Sequence, residues 1–218
     1  VEKKMKISLA LLETNSEINK SILSGIADHM RETMVKSQPS ILEDIRGLIR
    51  DALKQEPEYS SLTSGKLRAE LGIPNPSIVD SIVNKIADTV TISMNPVRAT
   101  NRGVLGGFTL TAISSLDIGG LIGDPDAFVQ DSLNGYSLPW LEWLMLRGTS
   151  EIVKNYTVDM TSNPNSRSGM ALMVTDTNSW RVPSEFAGVA ENNWSTRAIE
   201  RIEKNIPTTI QTHIEKNL

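Results

Sequence analysis

The chain has 218 residues, 39% of them hydrophobic, 22% charged and only 5% aromatic, with a net charge of −4. This composition is ordinary for a globular domain, whose core must here be built mainly from Ile, Leu, Val and Met. The absence of cysteine excludes disulfides, thiolate metal sites and cysteine nucleophiles, and the acidic balance gives no overall reason for tight binding to a phosphate backbone.

Val1-Glu2-Lys3-Lys4 is basic, but Glu13, Asn15 and Glu17 interrupt the segment after it, so no signal-peptide core is expected. No apolar run approaches the ~20 residues of a membrane span. Ile18, Ile22, Ile26, Met30 and Met34, with Leu23 and Ala27 beside them, form one apolar helix face. Pro39 is expected to end that helix, and Ser40 with Glu43 to form a capping box for the next. Ile41, Ile45, Leu48, Ile49 and Ala52 make the second face, closed by Pro57. A third helix is predicted over residues 63–71, before Pro74 and Pro76. A fourth carries Ile78, Val79, Ile82, Val83 and Ile86, with Ser77 as its cap.

The period then falls from four to two. Val90, Ile92 and Met94 alternate with threonine and serine as in a half-buried strand, which Pro96 is expected to stop. A second strand holds Phe108, Leu110 and Ala112. Residues 117–125, with Gly119, Gly120, Leu121 and Gly123, read as a loop able to touch a partner. Leu138 to Leu146 reads as a short apolar helix stopped by Gly148. Ile152 to Met160 is predicted as a strand, residues 161–165 as the turn, and Met170 to Thr175 as its pairing strand; Trp180 to Pro183 is a short edge segment. Ile199, Ile202, Ile206, Ile210 and Ile214 form a last helix that Pro207 should kink or split. Helices, then strands, then a helix argue for an α+β fold: amino-terminal amphipathic helices, a small mostly antiparallel sheet and a carboxyl-terminal helix. The division expected is a helical region over 1–88 and an α+β region over 89–218, packed as one unit, with 96–107 as the junction.

Chemical motifs are scarce. His29 and His213 lie on different helices, without ligand spacing. Ser166-Arg167-Ser168-Gly169 is not a nucleophile elbow and reads as a turn. Gly103, Gly106 and Gly107, near Arg98 and Arg102, lack the Walker pattern, and Gly119, Gly120 and Gly123 lack the dinucleotide fingerprint. Asp117, Asp124, Asp126 and Asp131 do not follow calcium-loop spacing. The sequons at Asn155 and Asn193 read as chance. No cofactor, metal or catalytic residue is therefore expected, and a hydrolase acting through Asp117, Asp124 or Glu185 is the weakest alternative. The tryptophans are more informative, because large aromatics favour cores and interface centres. Trp140 and Trp143 share one side of a helix and read first as core, while for Trp194 the two readings balance. The interface candidates are Trp140, Trp143, Arg167, Trp180, Arg181, Trp194, Gly119, Gly120 and Leu121.

Two stretches carry a family resemblance. Leu62-Thr63-Ser64-Gly65-Lys66-Leu67-Arg68-Ala69-Glu70-Leu71-Gly72, after amphipathic helices, resembles the TG-x-L-R turn and helix of neck and minor tail proteins of tailed phages, with Thr-Ser-Gly where Thr-Gly is usual. The second runs from Leu138-Pro139-Trp140-Leu141-Glu142-Trp143-Leu144 through Ser166-Arg167-Ser168-Gly169 and the segment Trp180 to Gly188 to Asn192-Asn193-Trp194. It resembles virion-morphogenesis and neck (head–tail connector, tail-terminator-like) proteins of contractile-tailed bacteriophages. The resemblance implies a non-enzymatic virion protein assembled in the host cytoplasm. Copies would form a ring of about six or twelve, joining head and portal connector to tail tube or sheath, with no membrane partner and DNA only as passing cargo. A cytoplasmic protein-binding module is the alternative.

Overall fold

A computed structural model describes residues 13–130 and 137–218. Val1 to Lys4 and Asp131 lie outside the described residues. The fold is α+β, as the order of periodicities predicts.

Helix α1, Asn15–Gln55, is one 41-residue element. It opens on a capping box: Thr14 Oγ1 accepts the Glu17 N–H at 3.3 Å, and Glu17 Oε2 accepts the Thr14 N–H at 2.7 Å. Pro39 lies inside the helix and does not end it, and Ser40 and Glu43 form no cap. Two features offset the missing N–H. Pro39 and Val35, whose carbonyl loses its donor, both face solvent. The buried face runs on across the proline, from Met34 and Ser37 to Ile41, Ile45 and Ile49.

Pro57 closes α1 by opening the next helix, where its missing N–H costs nothing. That helix, α2 (Pro57–Ser64), and α3 (Lys66–Leu71) replace the single helix predicted over 63–71. In α4, Ser77–Asp88, most of the predicted face is wholly buried, from Val79 to Ile86. Its cap is not Ser77, whose N–H instead donates to Asn75 Oδ1 at 3.0 Å.

Strands β1 (Thr91–Thr100) and β2 (Gly103–Thr111) form an antiparallel hairpin. Pro96 does not stop β1. The register slips between Asn95 and Arg98, so Pro96 and Val97 together oppose Gly106. This bulge absorbs the missing donor and reverses the alternation, so that Val97 is buried after Ile92 and Met94 had faced inward. A Cβ on Gly106 would lie 2.9 Å from Val97 Cγ2, so the bulge needs glycine opposite it. The hairpin lies along α1, where Ala27, Met34 and Val97 form a small core with Met30, Met94, Val104 and Phe108 around it.

Residues 117–125 are not a loop. Ser114 and Asp117 form a capping box that starts α5, Ser115–Ile122, through the paired glycines, and a single 3-10 turn follows over Pro125–Ala127. Strands β3 (Val129–Gln130) and β4 (Ser137–Leu138) lead into α6, Trp140–Met145. The strand predicted over 152–160 is broken at Asn155, which adopts φ 59°. Its halves, β5 (Glu151–Val153) and β6 (Tyr156–Asp159), take different partners. β6 pairs with β7, Leu172–Thr175, and β5 with β8, Trp180–Arg181. All described pairings are antiparallel, in four two-stranded ladders.

Pro207 splits the last helical run, as expected. α7 (Trp194–Ile202) passes through a 3-10 turn into α8 (Ile206–Asn217), where Pro207 occupies the first turn. One large core joins α1 and α4 residues such as Ile45, Ile49, Ile82 and Ile86 to Trp140, Trp180 and Trp194 from the later half. Among the described residues, no helix is long and apolar enough to cross a membrane.

Candidate functional site

Helix α3 is short because glycine bounds it on both sides; Gly72 ends it in the left-handed conformation at φ 68°. Leu67, Ala69 and Leu71 face the core, and Glu70 is carried inside with them. Only 7% of the Glu70 side chain is exposed, although its nearest cation, Lys66 Nζ, stays 3.7 Å from Oε1. Oε2 has no hydrogen-bond partner. The Trp180 indole N–H faces the same carboxylate and favours its charged form, yet Nε1 completes no hydrogen bond. Ser166 Oγ, in the turn between β6 and β7, is a third buried polar atom without a partner. Such atoms are uncommon in native proteins, and each calls for a physical explanation.

Two clefts share Glu70. One, of about 230 Å³, is lined by Ala69, Val158 and Met173 together with Ser166 and Arg167. The other, of about 540 Å³, is lined by Lys66, Trp180, Arg181 and Glu185. Arg167 covers the end of α3 so closely that a Cβ on Gly72 would lie 3.1 Å from its Nε.

Burial is the main reason that the Glu70 carboxyl holds its proton more tightly than an ordinary glutamate; Lys66 opposes this and Glu185 adds to it. The native state therefore binds more protons than the unfolded chain above the ordinary value of 4.5, and this group's contribution to stability falls as pH rises through that range. Glu70→Gln is expected to flatten the fall, measured as the urea midpoint between pH 4.5 and 7. An unchanged slope would show that the carboxylate is solvated.

Of the interface candidates, Arg167, Trp180 and Arg181 meet around Glu70. Trp140 and Trp194 are wholly buried and Leu121 is 6% exposed, so these side chains pack in the chain's own core. Trp140 Nε1 donates to Asp126 O at 2.8 Å, and Trp194 Nε1 to Leu53 O at 3.0 Å. Trp143 is half-buried under the Arg147 guanidinium, 5.8 Å from the ring centre. Gly119 and Gly120 are exposed on α5, and like Trp143 they line neither cleft. Sequence reasoning misses Glu70 and Lys66, because a helical glutamate four residues after a lysine is an ordinary surface pattern.

The other polar candidates have local partners. Asp117 caps α5. Asp124 and Asp126 bind Lys85 Nζ at 2.6 and 2.8 Å. His213 Nε2 lies 2.7 Å from Asp44, while His29 is exposed. Asn193 is the buried cap of α7, its Oδ1 accepting the Ser195 and Thr196 N–H groups at 3.0 and 3.2 Å. Among the described residues, no group of three or more His, Cys, Asp or Glu is placed to hold a metal.

The remaining parts of the second stretch also converge. The Gly148 N–H donates to Gly188 O at 2.8 Å. A Cβ on Gly188 would collide with Leu144 O and lie 2.7 Å from Asn193 Cβ, so the end of α6, residues 186–188 and the start of α7 pack with no room for a side chain. No family model, curated protein or solved structure matches this chain.

Proposed function

We propose that this chain is a structural subunit of the neck of a tailed phage, assembling with copies of itself into a ring between head connector and tail. The observation that carries this reading is the convergence at Glu70. The segment 62–72 and the segments at 166–169 and 180–185, which hold the resemblance to neck proteins, are far apart in sequence yet line two adjoining clefts. Segments that meet at one surface are suited to a shared contact.

Two further features support assembly. Tyr156, Met160, Met173 and Val174 are large apolar residues 37–46% exposed on and beside the β6–β7 ladder, next to the cleft that Met173 lines. Tyr156 and Met173 share one face of the ladder, and large exposed apolar groups lying together mark protein interaction surfaces. On α1, Ile22 and Ile26 are also exposed, at 55% and 47%. A contact between different patches on successive copies closes into a ring when the rotation between them closes.

Mass measurement and negative-stain microscopy of the purified protein across a wide concentration range test the reading. Closed rings of one size are expected. A protein that stays monomeric throughout, including with connector and tail proteins added, would overturn it.

A further inference from the structure

We infer that the clefts around Glu70 are the receiving half of the contact between copies, and that they take the β1–β2 hairpin tip of a second copy, whose Arg98 or Arg102 approaches the carboxylate. The inference rests on the ring reading and gives it a specific contact.

The receiving side offers three elements. Glu70 brings a nine-tenths-buried negative charge with an unpartnered oxygen. The smaller cleft, about 230 Å³, has apolar walls from Ala69, Val158 and Met173, suited to the methylene stem of a basic side chain. Among its lining residues Met173 is 41% exposed. A guanidinium with an apolar neighbour matches this combination, because it satisfies carboxylate oxygens with several N–H groups while its stem packs on hydrocarbon.

The hairpin tip has the complementary features. Arg98 and Arg102 are exposed, and among the described residues neither is within ion-pair distance of a carboxylate. Leu105, which pairs with Arg98 across the ladder, is 55% exposed. The hairpin lies along α1, and its tip at Ala99 to Asn101 borders the first turns of that helix at Asn19, Lys20 and Leu23, at the far end of the helix from α2. Arg167 and Lys66 border the clefts and set the approach, so the incoming arginine must come to the carboxylate by the apolar wall. Hairpin and clefts are different patches, so the contact is head-to-tail and each copy both gives and receives.

The test uses three full-length proteins: the wild type, Arg98→Glu with Arg102→Glu, and Glu70→Gln. Both arginines are exposed and glutamine has nearly the shape of glutamate, so the folds should persist, as circular dichroism will show. Each variant is expected to need at least a tenfold higher concentration than the wild type to assemble. Mixed in equal amounts, the two variants are expected to stop at a dimer of one copy of each, because only one intact hairpin and one intact cleft remain to pair. Rings from the arginine variant at wild-type concentration would overturn this contact and leave the ring reading standing. A wild type that never assembles would overturn both. If Glu70→Gln did not fold, wild-type assembly by the arginine variant alone would still overturn the contact.

Discussion

Trp194→Ala is expected to destabilise the protein by about 3–5 kcal/mol, the range for removing a large aromatic from a packed core. Trp194 opens α7 with its ring wholly buried. Its Nε1–H is the donor to the Leu53 carbonyl in the last turn of α1, so the substitution leaves both a cavity and an orphaned acceptor. Trp194→Phe keeps most of the packing and loses the hydrogen bond, for a smaller cost of about 1–3 kcal/mol. Trp143→Ala is the control, since that ring is half-buried and stacked under Arg147. Urea midpoints of the three variants measure the order. If Trp194→Ala were no more destabilised than Trp143→Ala, the joint between α1 and α7 would not belong to the packed core.

Arg197→Ala is expected to cost about 3–5 kcal/mol at neutral pH, as for a buried ion pair that loses one member. Glu58, in the first turn of α2, is completely buried. Its Oε1 accepts from Arg197 Nη2, and its Oε2 has no partner. One turn further along α7, Arg201 Nε donates to Glu56 Oε1 at 2.8 Å, so the two arginines clamp α7 onto the start of α2. Burial, the largest influence on Glu58, already raises its pKa above the ordinary 4.5 despite the opposing pull of Arg197. Without that arginine the carboxyl must take up a proton to stay buried. The native state of the variant then binds more protons than its unfolded state, so its deficit shrinks as pH falls from 7 toward 4.5. Adding Glu58→Gln to Arg197→Ala should recover much of the loss at pH 7. A deficit independent of pH would show that Arg197 stabilises by packing alone.

The helix faces at the centre of the fold were legible from local periodicity, whereas the face expected over Ile18 to Met34 was not, since Ile22 and Ile26 are exposed and the inward side runs through Ala27 and Met34. The buried residues Ile41, Ile45 and Ile49 of α1, and Val79, Ile82, Val83 and Ile86 of α4, are those picked out by spacing alone. The prolines divide by position. Pro57 and Pro207 fall in first turns, where a missing N–H is harmless, and they break the chain as expected. Pro39 and Pro96 fall where packing on both sides, or a bulge, outweighs the lost donor, and they break nothing. At Gly119–Gly120 the glycines suggested a loop, but the Ser114–Asp117 capping box and the burial of Leu121 make a helix. The sequence reading left Asp117 in a loop; its hydrogen bonds to Ser114 make it part of a helix cap.

By itself the sequence determined the α+β order, the apolar stripes of the second half of α1 and of α4, the return of 170–175 on part of 152–160, and the exclusion of thiol chemistry. These depend on residue type and on spacings within a few turns. Only the tertiary structure decided that Trp194 belongs to the interior, that Glu70 is buried with an unpaired oxygen, and that Arg167 and Trp180 meet it from about a hundred residues away. Burial of a polar side chain depends on what packs over it, and here that cover comes from strands and turns whose positions no local pattern records.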